Sequence, residues 1–179
     1  MNLPSSRNYG GWLALVRVLT GVIWLVHGVP KFLHSDRFMP PNGAFASYVQ
    51  KGIAGGTGPY HDFLVSVVAP NANIFAELVR LGEVCVGIAL VLGFATRLGG
   101  LFGIALPLNY IAARNGLGSA TQWTSIDGCL LLLSAINFVL PTGRVAGVDA
   151  LFARRKPRRE RVIAEVVPEP PMRGPTAPR

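Results

Sequence analysis

The most constraining feature of the sequence is a long apolar segment, residues 74–95, that carries Glu77, Arg80 and Glu83 in its first half. As a helix, this segment is long enough to cross a bilayer core of about 30 Å. At roughly 100° per residue, the three charges and Gly87 fall within about 120° of the helix surface, and neighbouring charges are i,i+3 pairs. Because a charge that faces lipid costs several kcal/mol, this stripe must face protein or water inside a bundle. It predicts either a polar site within the membrane or an acid–base–acid clamp between helices.

The composition is that of a small integral membrane protein. The 179 residues suit a single domain; 50% of them are hydrophobic and 15% are charged. The mean hydropathy is +0.41. The net charge of +8 does not indicate nucleic-acid binding, because residues 144–179 hold nine Arg or Lys against four Asp or Glu and supply five of those charges. Such a basic tail indicates membrane topology and contact with anionic lipid headgroups.

The apolar segments predict an all-α integral membrane protein, a four-transmembrane-helix bundle within residues 1–153. The four helices are expected at about residues 12–32, 74–95, 98–113 and 125–140. The remaining residues, 154–179, are basic and then proline-rich, and we expect them to form a disordered cytoplasmic tail.

The connection between the first two membrane helices, residues 33–73, is not a span. It contains Pro40-Pro41 and a glycine-rich run, and its two amphipathic stretches, 45–53 and 60–68, are too short to cross a membrane. We expect short helices in this first outer loop that lie at the interface or cap the bundle. Asn73 is the expected N-cap of the second membrane helix.

Each of the other three membrane segments also has one face of polar or small residues. In the first, a polar seam lies within about 100° of the helix surface; its members are Arg17, Thr20, Trp24, His27, Gly28 and Lys31. In the third, Gly100, Gly103 and Pro107 share a face that allows close helix approach. In the fourth, Asp127, Ser134 and Asn137 lie within about 80° of one another.

The positive-inside bias of Arg7 and the tail places both termini in the cytoplasm, which an even number of spans satisfies. The charged groups then collect in the outer half of the bundle, around a pocket that opens outward, and Arg17 alone lies near the inner side. The candidate catalytic residues are His27, Glu77, Arg80 and Glu83. The candidate ligand-binding residues are Trp24, Lys31, Arg114 and Asp127, and no metal site is predicted.

Within this pocket we expect Glu83 to be matched by Arg80 one turn earlier and by His27 at a similar depth across the bundle. His27 has the unperturbed pKa nearest neutrality, so His27 and Glu83 would exchange protons while Arg80 fixes charge. The same balanced cluster fits a structural ion-pair network. Lys31 also fits a snorkelling side chain at a helix end, and Trp24 fits simple helix packing.

The two cysteines, Cys85 and Cys129, provide neither a disulfide framework nor metal-ligand spacing. Cys85 lies roughly opposite the charged stripe, and Cys129 is about 160° from Asp127. Both side chains are therefore predicted to point away from the polar seams, and a catalytic dithiol is not expected.

Several motifs carry a family resemblance. Residues 18–32, from Val18-Leu19-Thr20 through His27-Gly28 to Lys31-Phe32, resemble the first-helix signature of the DoxX family. Residues 59–103, especially Gly82-Glu83, Leu92-Gly93 and Thr96-Arg97, resemble the DoxD branch, as does the closing segment Gly143–Asp149. The resemblance spans about residues 12–153.

The resemblance implies a four-helix protein of the bacterial cytoplasmic (inner) membrane. The DoxD branch implies the membrane subunit of thiosulfate:quinone oxidoreductase, with quinone as electron acceptor and a partner subunit, DoxA. The chain has no flavin, haem or metal motif, so enzymatic activity would require that partner. Alternatives are a non-catalytic scaffold that anchors a soluble redox or oxidative-stress partner, and a small-solute or proton pathway. Membrane lipids are expected partners, nucleic acid is not, and a homo-oligomer is compatible with the sequence.

Overall fold

The computed structural model describes residues 6–115, 117–140 and 142–153, and the regular secondary structure in these ranges is helical throughout. The elements in chain order are α1 (Ser6–Leu33), α2 (Ser35–Phe38), α3 (Ala44–Gly55), α4 (Pro59–Phe63), a π-helical turn (Leu64–Val68), α5 (Ala72–Leu92), α6 (Thr96–Ala113), α7 (Ala120–Trp123), α8 (Ile126–Val139), a 3-10 turn (Thr142–Arg144) and α9 (Val148–Ala153). The predicted tail, residues 154–179, lies outside the described residues.

The four long helices, α1, α5, α6 and α8, form a bundle. α1 packs along α5, α5 along α6 and α6 along α8, while α8 and α1 touch each other sparsely. These helices correspond to the four predicted segments, but several ends differ: α5 ends at Leu92 rather than Ala95, and α6 begins at Thr96 rather than Leu98. α1 begins at Ser6, before the predicted Trp12, and the N-cap of α5 is Asn71 rather than Asn73. Asn71 stabilises the preceding π-helical turn instead, because its side-chain amide donates to the Val67 carbonyl at 2.9 Å.

Glycines set the close approaches between helices. A Cβ atom at Gly21 of α1 would lie 2.8 Å from the Gly87 carbonyl oxygen of α5, and one at Gly87 would lie 2.7 Å from Leu25. The helices α6 and α8 also come close at a glycine. A Cβ atom at Gly103 of α6 would lie 2.5 Å from the Ser134 Oγ atom of α8. The glycine face predicted on the third segment is therefore the α6–α8 contact surface.

The bundle interior holds polar side chains beside an apolar core of Trp24, Val86, Leu90 and Leu130, and the outer faces are largely apolar. Buried polar side chains of the long helices are Arg17, Thr20, Glu83, Thr96, Asp127, Ser134 and Asn137. The outer faces carry exposed large hydrophobic side chains on every long helix, for example Leu19, Leu78, Phe102 and Leu132. Among the described residues, one helical segment, Tyr9–Leu33, is by itself both long and apolar enough to cross a membrane; Ile126–Val139 is apolar but shorter.

The short elements between α1 and α5, residues 35–68, form a cap over one end of the bundle. Val49, Leu64 and Val68 make its small apolar core. The cap is fastened to α6, because Asn115 donates its side-chain amide to the Gly52 carbonyl at 3.3 Å and the Tyr60 hydroxyl bonds the Asn109 side chain. Burial raises the pKa of Tyr60, so its hydroxyl stays protonated as a donor. The short capping helices predicted here are confirmed.

The opposite end of the bundle is closed by Arg17 and Asp149. The Arg17 guanidinium donates to the carbonyls of Thr142 (2.9 Å), Val145 (3.0 Å) and Ala146 (3.2 Å). Asp149 accepts from the start of α6: the Ala95 amide (2.8 Å), the Thr96 amide (3.1 Å) and the Thr96 hydroxyl (2.8 Å). Together they fix the segment after α8 against α1 and the α5–α6 turn.

Candidate functional site

A cavity of about 580 Å³ lies between the cap and the long helices. Its walls are mainly aromatic and aliphatic and come from every layer around it: Trp24, Phe38, Phe45, Tyr48, Val49, Leu64, Phe75, Val79 and Leu130. The polar lining groups include Lys31, Glu83, Tyr110, Arg114 and Asp127. A mainly apolar pocket with a few convergent polar groups is typical of a small-molecule site.

Glu83 of α5 is the most buried acid in the cavity wall, with 2% of its surface exposed. Lys31 of α1 bonds both carboxylate oxygens, and the Tyr110 hydroxyl of α6 donates to Oε1 at 2.7 Å. The Lys31 Nζ atom also lies 5.1 Å from the ring centroid of Phe38 in the cap and 5.7 Å from that of Tyr110. Lys31 therefore joins three helices and the cap at one point.

The prediction that Glu83 is paired with Arg80 and His27 is wrong. Arg80 bonds Glu77 through two nitrogens, one of them Nε at 2.7 Å, and its guanidinium carbon lies 4.5 Å from the Phe32 ring centroid. Helical side chains point back toward the N-terminus, so Arg80 meets the acid before it rather than the acid after it. Glu77 and Arg80 are absent from the lining of the cavity, and the predicted i,i+3 pair Glu77–Arg80 forms beside it.

Arg114 and Asp127 make a second ion pair in the cavity wall. Arg114 at the end of α6 bonds the carboxylate of Asp127 in the first turn of α8, and its Nε donates to Gln122 at 2.9 Å. Asp127 is 9% exposed. The structure thus brings these two candidate residues together in the wall that also holds Lys31 and Glu83.

Trp24 and His27 line the cavity from α1. Trp24 is 1% exposed and its indole donates to the Ser134 hydroxyl of α8 at 3.3 Å, so it both packs the bundle and forms a wall. His27 is exposed and makes no side-chain hydrogen bond to another described residue. It does not pair with Glu83, because Lys31, one turn further along α1, occupies that position.

A family profile described as "TQO small subunit DoxD" matches residues 12–167. The chain belongs to the DoxD family. DoxD proteins are membrane-associated, and the family description makes them a subunit of a larger complex. No curated protein and no solved structure gives a significant match to the chain.

Sequence reasoning did not find Tyr110 and Phe38 of this DoxD chain. A signal for Tyr110 exists, since it lies three residues after Pro107 and seven after Gly103, on the face that packs into the bundle. Phe38 carries no such signal, because its position depends on how the cap folds back over α1.

Neither cysteine of this DoxD chain lines the cavity; both are exposed on the outer surface, as their helical positions predict. The described residues contain no group of three or more His, Cys, Asp or Glu side chains placed to hold a metal ion.

Proposed function

We propose that this DoxD chain is the integral membrane subunit of a quinone-linked oxidoreductase that oxidises a reduced sulfur compound such as thiosulfate. The observation that carries the proposal is the cavity, in which Lys31, Glu83 and Tyr110 form a polar cluster among aromatic and aliphatic walls. The family description, the small subunit of thiosulfate:quinone oxidoreductase, supports the reaction class.

The residues present fit a quinone. A quinone ring needs donors for its carbonyl oxygens and flat apolar surfaces for its faces, and its tail needs an apolar channel. Lys31 can turn a proton toward the cavity while it stays paired with Glu83, because an ammonium has three donors. Trp24, Phe38 and Leu130 provide apolar surface. A bound quinone would accept electrons and protons.

The chain's own residues would bind that ring and handle its protons. Lys31 Nζ would donate to a carbonyl oxygen, and Tyr110 holds the Glu83 carboxylate so that Lys31 stays in the cavity wall. His27, at the exposed side of the cavity, exchanges protons with the surroundings.

All four long helices are proposed to cross the bacterial inner membrane. The support is the distribution of side chains: large hydrophobic groups cover the outer faces, and Arg17, Glu83 and Asp127 lie inside. A water-soluble bundle has the reverse arrangement, because exposed apolar area of this extent favours lipid over water. The end opposite the cap carries Arg97 and Arg144, and the basic segment 154–179 follows α9 in the sequence, so we propose that this end and both termini are cytoplasmic.

Electrons are proposed to arrive from a partner subunit such as DoxA, which the resemblance implies. A specific observation also favours the alternative of a non-catalytic scaffold: Glu77, Glu83 and Asp127 are each ion-paired, as a structural clamp requires. Quinone binding by the purified chain distinguishes the two functions.

The test uses Trp24 as a reporter. The chain has three tryptophans, so Trp12→Phe with Trp123→Phe leaves Trp24, in the cavity wall, as the single fluorophore. A short-tailed ubiquinone titrated into this protein should quench its fluorescence with saturation. Lys31→Met should weaken binding on the order of tenfold, the loss of one charged hydrogen bond, whereas Glu77→Gln, outside the cavity, should leave it unchanged. Unsaturable quenching, equal in both variants, would favour the scaffold.

A further inference from the structure

The exposed part of the cavity lining is basic. Among the described residues, the ionisable side chains that both line the cavity and are exposed are His27, His34 and Arg37. The acids of the lining, Glu83 and Asp127, are buried. Arg37 carries a permanent charge, and a histidine ring can donate a hydrogen bond in either protonation state. Wherever the cavity meets its surroundings, its charge is therefore positive.

The buried acids do not offset this charge, because each already has a cation. Lys31 and Arg114 bind one of them each. Asp36, next to Arg37 in α2, does not line the cavity. Within the described ranges, His34 and Arg37 take part in no ion pair. A cation without a partner at the edge of a mainly apolar cavity favours an anionic group on the ligand.

His34 and Arg37 are held at the edge of the cavity by the turn between α1 and α2. The His34 amide donates to the Pro30 carbonyl at 2.9 Å, and the Arg37 amide donates to the His34 carbonyl at 3.1 Å. Next in the chain, Phe38 is buried and packs edge-on against Phe45 of the cap, with 6.1 Å between ring centroids. The backbone and the Phe38 anchor thus keep the two basic residues within one turn of each other.

From this edge the cavity extends along α1. His34 is exposed, Trp24 is 1% exposed, and both line the cavity. The ten residues between them correspond to a rise of about 15 Å. The facing walls are mainly apolar, with Val79 of α5 and Leu130 of α8 among them. A cavity of about 580 Å³ that is elongated, apolar and permanently charged at one exposed end suits one single-chain amphiphile with an anionic headgroup.

We propose that this cavity binds a single-chain lipid anion, of which a long-chain carboxylate is the simplest. The headgroup accepts hydrogen bonds from Arg37 and His34, and the chain lies along α1 toward Trp24. The inference goes beyond the proposed quinone chemistry and does not rest on it, because His34 and Arg37 are not the residues that would hold a quinone ring.

The test reads the fluorescence of Trp24, isolated by Trp12→Phe with Trp123→Phe. The protein is held in nanodiscs of zwitterionic phospholipid, in mildly alkaline buffer that keeps a carboxylate ionised. The ligand is stearate with a nitroxide quencher in the distal half of its chain, and the matched ligand is its uncharged methyl ester. Stearate should quench Trp24 with saturation and bind on the order of tenfold more tightly than the ester, the value of one charged hydrogen bond.

Two variants at the edge of the cavity test the headgroup site. His34→Gln with Arg37→Gln should abolish the preference, so that stearate and ester bind equally. Arg37→Gln alone should lose most of it, and this single variant decides the outcome if circular dichroism shows that the double variant is unfolded. The control is Lys51→Gln, which removes an exposed cation of the cap that does not line the cavity. This control should keep the full preference.

Two further comparisons test the orientation and the need for a chain. A nitroxide in the distal half of the chain should quench Trp24 more completely than one beside the carboxylate, because the headgroup is held about 15 Å away along α1. An excess of inorganic phosphate should not displace the stearate, since phosphate has no chain to bury in the cavity.

Equal binding of stearate and ester by the parent, or an equal loss of the preference in Lys51→Gln, overturns the headgroup site. Stronger quenching by the nitroxide beside the carboxylate overturns the orientation. Displacement by phosphate overturns the lipid assignment and indicates a site for small anions. The ubiquinone titration remains a separate test: its failure overturns the proposed function and leaves a positive stearate result standing.

Discussion

At the scale of single residues, the ion pair Lys31–Glu83 dominates the site. Glu83 is almost completely enclosed, and its partners come from two other helices. A buried pair of this kind adds little net stability compared with apolar groups, but removal of one partner is costly because it leaves a desolvated charge.

We therefore expect Lys31→Met to destabilise the protein by about 3–5 kcal/mol, and Lys31→Met with Glu83→Gln to restore much of that loss. The pair Arg80→Met and Arg80→Met with Glu77→Gln is the control. Glu77 is 41% exposed, so its pair should show a coupling of about 1 kcal/mol or less. Thermal unfolding in detergent, followed by circular dichroism, measures the stability of all four variants and the parent. Equal coupling at the two pairs would contradict the assignment of Lys31 to Glu83.

At the scale of elements, the bundle depends on where helices come close and on how they begin and end. α1 and α5 meet at Gly21 and Gly87, where an added Cβ has no room. α6 begins without a side-chain cap of its own, and Asp149, far along the chain, accepts from its first amides instead.

Gly21→Ala should lower stability by about 1–3 kcal/mol, because the new methyl group would overlap backbone and side-chain atoms of α5. Gly11→Ala, in the same helix with nothing within 4 Å of the added Cβ, should be neutral or slightly stabilising. The two melting temperatures, measured side by side, test the α1–α5 packing. Similar melting temperatures for the two variants would show that α1 and α5 do not pack closely at Gly21.

Asp149→Ala should cost about 1–2 kcal/mol, the range for loss of a helix N-cap, since three donors at the start of α6 lose their acceptor. Asp149→Asn, which keeps one acceptor oxygen, should cost less. Limited proteolysis should then cut the α5–α6 turn of the alanine variant sooner. Identical digestion of the alanine variant and the parent would show that Asp149 does not cap α6.

At the scale of the whole molecule, the outer faces of the long helices are largely apolar, and the buried charged groups lie inside the bundle beside an apolar core. In the proposed four-span topology, both cysteines face lipid and the cap lies on the outer side of the membrane. These features can be tested without any assay of activity.

In intact cells, Ser47→Cys in the cap should react with a membrane-impermeant maleimide, whereas Cys85 and Cys129 should not, because lipid shields them. An alkaline phosphatase fused after residue 179 should be inactive, as expected for a cytoplasmic end. Activity of that fusion, or the absence of labelling at position 47, would contradict the proposed topology.

Cys85→Ser with Cys129→Ser should leave quinone quenching of Trp24 within about twofold of the parent, since neither side chain lines the cavity. Circular dichroism checks that the double variant is folded. Loss of saturable quenching in a folded double variant would show that a thiol takes part in binding.

The amino-acid sequence was enough to predict the long helices and most of the residues that turn inward. Apolar runs specify helix positions, and a charge or a small residue within such a run has few orientations it can adopt at low cost. The seams through Trp24, Glu83 and Ser134, the glycine face of α6 and the short capping helices follow from these local rules. Membership of the DoxD family was equally readable from short motifs.

Which charged side chains pair with one another became visible only in the folded bundle. Lys31, Arg80 and His27 were all within reach of Glu83 by depth and spacing, and the choice depended on side-chain direction and on the distance between α1 and α5. Tyr110 and Phe38 join the site because α6 and the cap are folded against Lys31, which no pattern within either segment specifies. Helix formation and facing are local properties of the chain, whereas ion pairing across helices depends on the assembled bundle.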